Sequence, residues 1–117
     1  RECHPQAFSA WSITPHADAL FDPVFQARLE TAPQSKECLG CHTTGFDATT
    51  GRFAFAGVTC EVCHAPYREQ HPAEGTLVAP PDELCGGCHT ATLAEWQSGR
   101  HGERQVDCTA CHVVHTQ

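Results

Sequence analysis

The sequence predicts a mostly irregular protein with short α-helices and one small β-hairpin, in a single domain that spans residues 1–117. The chain is short and only 40% of its residues are apolar, so it can bury only a small protein core. Nine cysteines and nine histidines are far more than an average chain of this length carries. We therefore infer that cross-links or a bound group organise the fold.

Two short helices are predicted in the first third of the chain. Pro5 suits the first turn of a helix that runs towards Trp11, because an N–H is not needed there. Asp22 and Pro23 have the residue types of an N-cap and a first helical position. They predict a second helix over residues 24–30.

A small hairpin is predicted over residues 45–58. Thr50 and Gly51 have the residue types of a turn, and Phe53 and Phe55 alternate with smaller residues as in a strand.

The next stretch is predicted to be irregular loop because it is rich in proline. A third helix is predicted over residues 90–97 and is ended by Gly99. The prolines of the predicted loop are Pro66, Pro72, Pro80 and Pro81.

Eight of the nine cysteines form four C-x-x-C pairs, and a histidine follows each pair directly. This pattern is typical of c-type haem attachment, in which both thiols form thioethers with the haem vinyl groups and the histidine binds the iron. The predicted cofactor-binding cysteines are Cys38, Cys41, Cys60, Cys63, Cys85, Cys88, Cys108 and Cys111. The predicted proximal iron ligands are His42, His64, His89 and His112.

Two other interpretations of the cysteines have to be weighed. The gaps between the first and second pairs, and between the third and fourth, suit zinc ribbons. A disulfide framework would suit a chain from an oxidising compartment. Neither explains the histidine that follows all four pairs, so covalent haem c is the favoured interpretation.

The ninth cysteine, Cys3, precedes His4, and its partner in a C-x-x-C pair would lie before the first residue. An internal repeat bears on this position, since residues 3–16 and 88–101 share the pattern CH-x₆-W-x₄-H. The second copy belongs to a complete haem motif, so we predict a fifth haem at Cys3 and His4. The alternatives are a free or disulfide-bonded Cys3, and a haem held by a single thioether.

The remaining histidines are candidates for the second axial position of the irons. The chain has no methionine to fill that position. Five irons with two histidines each need one histidine more than the chain has. Either one iron is five-coordinate, or another subunit lends a histidine, or only four haems are present. The candidate distal ligands are His16, His71, His101 and His115, the last of which is predicted to reach a neighbouring haem.

On its motifs the chain resembles the multihaem cytochromes c of the cytochrome c-554 type. The segments that carry the resemblance are CHPQAFSAWSITPH, CLGCHTTGF, GVTCEVCHAPYREQH, CGGCHTATLAEWQSGRH and CTACHVVH. The resemblance implies a multihaem cytochrome c fold organised around closely stacked haems, mostly with two histidine ligands. It also implies that His16, His71 and His101 are distal ligands on haems other than those they follow. The missing first cysteine before Cys3 departs from the family pattern.

The predicted function is electron transfer through four or five covalent haems, with low potentials because of histidine ligation and an acidic chain. Enzymatic activity is less favoured. The alternative is catalysis at one open, five-coordinate haem that acts on a small nitrogen or sulfur compound. Related small multihaem cytochromes form extracellular filaments with a shared histidine, and the histidine count is compatible with such a homo-polymer.

The expected partners are redox proteins that donate and accept electrons. The net charge of −7 argues against a nucleic-acid partner, and no apolar run is long enough to cross a bilayer. Haem c attachment predicts a periplasmic or extracellular location. No signal peptide is visible, which we interpret as a mature or trimmed chain.

Overall fold

The computed structural model describes residues 4–32, 36–66, 68 and 77–116. These residues form short helices and a two-stranded antiparallel sheet, as the sequence predicts. The helices are α1 Pro5–Trp11, α2 Pro23–Thr31, α3 Leu39–His42, α4 Cys60–His64, α5 Pro81–Gly86, α6 Thr90–Ser98 and α7 Arg100–Glu103. The strands are β1 Thr43–Thr44 and β2 Phe55–Ala56, and two 3₁₀ turns span Lys36–Cys38 and Cys108–Ala110.

The backbone divides into two units, which are Arg1–Val62 with Val114–Gln117 and Cys63–Val113. In the first unit, α1 and α2 begin where the sequence predicts. Pro5 is the first residue of α1, and a carboxylate oxygen of Asp22 accepts the N–H of Phe25 at 2.8 Å to cap α2. The prediction of a single domain over residues 1–117 stays a prediction.

The hairpin forms, but its first strand begins earlier than residue 45. Thr43 lies opposite Ala56 and Thr44 opposite Phe55 in the antiparallel register. Thr43 and Thr44 are buried, and β-branched residues suit a buried strand. The prediction missed them because they directly follow a C-x-x-C-H motif.

In the second unit, helix α5 lies where the sequence predicts irregular loop. Pro80 and Pro81 were expected in irregular loop, yet Pro80 is the N-cap of α5 and Pro81 is its first residue. Proline has a fixed φ that suits this position, which explains the correction. Helix α6 ends at Ser98 with Gly99 as its C-cap, as predicted, and Gly99 is also the N-cap of α7. Pro72 lies outside the described residues.

The described residues build almost no protein core. Leu20 and Phe25 are the only buried apolar side chains among them. The buried polar residues Thr14, Thr43 and Thr44 all form hydrogen bonds. In the part of the chain that the structure describes, no helix has the length and apolar character needed to cross a membrane.

Candidate haem centres

All four C-x-x-C-H motifs lie on short helical turns. Helix α4 spans one whole motif, and α3 with the preceding 3₁₀ turn spans another. In the other two, the N–H of His89 donates to the carbonyl of Cys85 at 2.9 Å and that of His112 to Cys108 at 3.0 Å. A helical turn places residues i, i+3 and i+4 on one side. Each motif can therefore present two thiols and an imidazole together.

The motif cysteines are accessible, as covalent attachment requires. No disulfide closes any of the four pairs, and every cysteine in them is exposed or half-buried. Among the predicted proximal ligands, His42 is half-buried, whereas His64, His89 and His112 are exposed.

Two contacts hold the His42 ring in place. Its ring stacks on Phe25 with centroids 3.7 Å apart and an interplanar angle of 6°. Its Nδ1 lies 2.6 Å from the carbonyl oxygen of Ala19. A carbonyl only accepts, so Nδ1 carries the proton and Nε2 keeps its lone pair for a metal. Phe25 and Ala19 therefore fix both the orientation and the tautomer of His42.

Thr44 connects the first motif to the segment that leads into the second. Its hydroxyl donates to the carbonyl of Gly57 at 2.9 Å and accepts the N–H of Thr59 at 2.9 Å. Thr44 follows His42 closely in sequence, and Thr59 directly precedes Cys60. This buried hydroxyl therefore sets the backbone spacing between the two motifs.

The third and fourth motifs lie close together in the second unit. Helix α5, which carries Cys85, contacts the 3₁₀ turn that begins at Cys108. Burial raises the pKa of the Cys85 thiol, and the Cys108 and Cys63 thiols raise it further. The attachment points of the third and fourth motifs are thus neighbours.

The fourth motif is capped by Asp107. Its carboxylate accepts the Thr109 hydroxyl at 2.7 Å and the N–H groups of Thr109 and Ala110 at 2.8 and 3.2 Å. The hydroxyl of Thr109 is the largest cause of the lowered pKa of Asp107. This cap holds the turn that carries Cys108.

The repeat seen in the sequence is also a repeat in the structure. His4 is the N-cap of α1 and His89 is the N-cap of α6. The N–H of Phe8 donates to the carbonyl of His4 at 3.0 Å, and that of Leu93 to His89 at 2.9 Å. Cys3 itself lies outside the described residues.

Trp11, the first tryptophan of the repeat, forms a hydrogen bond with Val58, and Val58 forms another with His16. The indole N–H of Trp11 donates to the carbonyl of Val58 at 2.9 Å. The N–H of Val58 donates to the carbonyl of His16 at 2.8 Å.

The second copy has the same two bonds. The indole N–H of Trp96 donates to the carbonyl of Val106 at 2.8 Å, and the N–H of Val106 donates to the carbonyl of His101 at 2.9 Å. Of the other predicted distal ligands, His115 is exposed near the end of the chain, and His71 lies outside the described residues.

The described residues fit covalent haem. Thiols and imidazoles occur at the attachment spacing on turns that can present them, and the large apolar faces of haem give exposed apolar side chains something to pack against. In residues 4–32, 36–66, 68 and 77–116, no group of three histidine, cysteine or acidic side chains is placed to hold a metal ion. The exposed large apolar residues are Ile13, Phe21, Val24, Phe53, Phe55, Leu77, Val78 and Val113.

Repeated C-x-x-C-H turns on a chain with little core of its own define a multihaem c-type cytochrome, whose cofactor is covalently bound haem c. The sequence profile of the family described as "Cytochrome c554 and c-prime" matches residues 1–65, and the chain belongs to this family. A second profile, described as "Doubled CXXCH motif", matches residues 54–94.

Cytochrome c-554 of Nitrosomonas europaea is similar to this chain, with 28% identity over 131 aligned positions. The alignment covers 95% of this chain and 54% of that protein, so the chain spans about half of the length of this relative. No solved structure matches the chain significantly.

Some contacts at the site had no signal in the sequence. Phe25 lies within the predicted second helix, but nothing in the sequence places it against His42, and the Ala19 carbonyl belongs to the backbone. Both contacts join residues that are distant along the chain. The repeat makes Trp11 and Trp96 equivalent positions, but the valine peptides that connect them to His16 and His101 carry no recognisable side-chain pattern.

Proposed function

We propose that this protein is an electron carrier that uses four or five covalent haems. Haem c, when bound, supplies reversible one-electron chemistry at its iron. The observation that supports the proposal most directly is the contact between helix α5, which carries Cys85, and the 3₁₀ turn that begins at Cys108. Groups attached through neighbouring turns are held near one another, as electron transfer between them requires.

The chain's own residues attach the haems and orient a proposed iron ligand. The motif cysteines fix each haem covalently, and the histidines that follow them are the proposed proximal ligands. Phe25 and Ala19 hold the His42 ring in the tautomer that a metal needs. The absence of methionine and the net charge of −7 favour low potentials, because negative surroundings stabilise the oxidised iron.

We propose five haems, of which the fifth is attached at Cys3 and His4. The support is the structural repeat, since His4 begins α1 in the way that His89 begins α6. The intact mass of the denatured holoprotein counts thioether-bound haems directly. A mass increment of five haems would support this assignment, and an increment of four would exclude it.

The electron-carrier proposal is tested by a coulometric titration with optical detection. We expect reversible uptake of one electron per haem, with low-spin spectra in both states. The enzymatic alternative predicts a high-spin ferric signal and turnover of a small nitrogen or sulfur compound. Turnover with such a compound would contradict a pure carrier role.

The location and the partners follow from the cofactor chemistry. We propose a periplasmic or extracellular protein that exchanges electrons with other redox proteins. Cell fractionation with detection of covalent haem would test the location. A homo-polymer that shares a histidine rests on the histidine count and stays a prediction, which analytical ultracentrifugation of the holoprotein would test.

A further inference from the structure

The two valine contacts described above form what we call the valine clamps. The first clamp is Trp11–Val58–His16 and the second is Trp96–Val106–His101. In each, a single residue uses its carbonyl for the tryptophan and its N–H for the histidine. Both peptide groups of the valine are therefore paired within the clamp.

Each clamp ends at the same place relative to a haem motif. Val58 stands two residues before Cys60, and Val106 stands two residues before Cys108. The residues at the corresponding positions of the other complete motifs are Lys36 and Glu83. The clamps thus tie a histidine segment to the start of the second and the fourth motif.

A glycine allows the close approach in the first clamp. Gly57 precedes Val58 and has φ of +75°. A Cβ there would overlap the carbonyl oxygen of Ala17 and would lie 2.9 Å from that of His16. The His16 backbone therefore packs directly on the backbone of the clamp.

The second clamp has a comparable close backbone contact, at the residue that follows its histidine. Gly102 follows His101, and a Cβ there would lie 2.5 Å from the carbonyl oxygen of Trp96. Helix α6 and His101 are thus held together by backbone contact as well as through Val106. Two independent copies of one arrangement are harder to attribute to chance than one.

We propose that Trp11 and Trp96 are positioning residues that, through the valine clamps, hold His16 and His101 in place for axial ligation. This proposal rests on the proposed electron-carrier function, in which both histidines are distal ligands. An imidazole on a fixed backbone loses less conformational entropy when it binds a metal. The indole N–H, rather than the ring volume, is the group that closes each clamp.

The test removes the indole N–H, once together with part of the ring and once with the ring volume kept. The variants are Trp96→Phe and, at the same position, replacement by 3-benzothienylalanine, whose sulfur takes the place of the N–H with almost the same volume. We expect the haem count to stay unchanged by intact mass. Cyanide, which competes with the distal histidine, should bind one haem about fivefold more tightly, the equivalent of one lost hydrogen bond of about 1 kcal/mol.

The matched control is Val106→Ile, which changes the side chain of the clamp but keeps both of its peptide hydrogen bonds. Its cyanide affinity and low-spin spectrum should equal those of the unmodified protein. Trp11→Phe repeats the experiment on the independent first clamp, so a folding failure at one position leaves the other to decide.

Different failures have different meanings. A lower melting temperature with unchanged cyanide affinity and potentials would show a purely structural role and would overturn the proposal. Unmodified holoprotein without a low-spin, bis-histidine signal would contradict the proposed ligation itself, and the positioning role with it. Low-spin unmodified protein, together with unchanged affinity in both tryptophan variants, would contradict the positioning role alone.

Discussion

Phe25 combines two tasks at one position. It is one of the two buried apolar residues among those described, and its ring lies parallel to His42 at 3.7 Å. Aromatic stacking of this kind adds to the free energy gained from burial alone. A core residue therefore also orients a proposed iron ligand.

We expect Phe25→Leu to lower the free energy of unfolding by about 1 kcal/mol beyond the effect of lost area, because leucine cannot stack. The low-spin signal of one haem should change as His42 gains freedom. Denaturant unfolding and electron paramagnetic resonance of the holoprotein measure the two effects. Glu30→Ala, on the same helix, is the control, because Glu30 is exposed and polar and its loss should change stability by less than about 0.5 kcal/mol. Equal effects of the two variants would contradict the role of the stack.

Asp47 makes the hairpin turn sensitive to acid. Its carboxylate accepts the Thr50 hydroxyl at 2.8 Å and the N–H of Thr49 at 2.8 Å. The Thr49 hydroxyl is the largest cause that lowers the pKa of Asp47 from 3.8 to about 2. A carboxyl group with a lowered folded-state pKa stabilises the fold above its unfolded pKa, and this contribution is lost as the pH falls.

We therefore expect Asp47→Asn to have a lower melting temperature than the unmodified protein above pH 3.8. The difference should shrink as the pH falls from 3.8 towards about 2. Thermal unfolding at a series of pH values measures it. A difference that stays constant over this range would show that the ionised carboxylate contributes nothing.

At the scale of elements, close backbone contacts contribute more than side-chain packing to holding the segment before Cys60. The hairpin, the Thr44 hydroxyl and Gly57 together hold the segment before Cys60. Gly57 is the residue of this group that a larger side chain cannot replace. Its positive φ strains any residue that has a Cβ, and a Cβ there would overlap the Ala17 carbonyl oxygen.

We expect Gly57→Ala to destabilise the fold by about 1–3 kcal/mol, because alanine is strained at this φ and would overlap Ala17. Chemical denaturation of the holoprotein measures the loss. Gly40→Ala is the control, since a Cβ there would meet only a Phe46 ring carbon at 3.9 Å and alanine favours a helix. A stable Gly57→Ala protein would contradict the close backbone approach.

Elements with local signals could be predicted, and elements that depend on distant contacts could not. Pro5 and the Asp22–Pro23 pair mark helix starts by their own chemistry, so α1 and α2 were predicted correctly. Helix α5 was missed because a proline-rich segment reads as loop, although proline also begins helices.

The candidate site likewise has features that the sequence predicts and features that only the folded structure shows. The haem motifs and the repeated tryptophan are visible as spacing, and so the cofactor could be predicted. The clamps at Val58 and Val106 use main-chain groups, which every residue has. Only the folded structure reveals which peptide bonds are used.

At the scale of the whole molecule, protein side chains alone supply little stability. Across the residues that the structure describes, Leu20 and Phe25 are buried while Phe21, Phe55 and Val113 are among those more than half exposed. A chain with so little apolar burial cannot offset the entropy lost on folding. Attached haem groups would provide the missing apolar surface.

We expect the chain to be largely unfolded when it is produced without haem attachment. Far-ultraviolet circular dichroism should show little helix, and limited proteolysis should cut throughout. The holoprotein, prepared in the same buffer, is the control and should unfold cooperatively. A cooperative melting transition of the haem-free chain would contradict this expectation.

The two valine clamps differ in what lies between histidine and valine. In the second copy, Val106 follows His101 closely, whereas in the first a complete motif and the hairpin stand between His16 and Val58. The closing contacts are nevertheless the same. The clamp therefore fixes the two ends of the segment between histidine and valine without fixing its length, and in the first copy that segment carries a haem motif of its own.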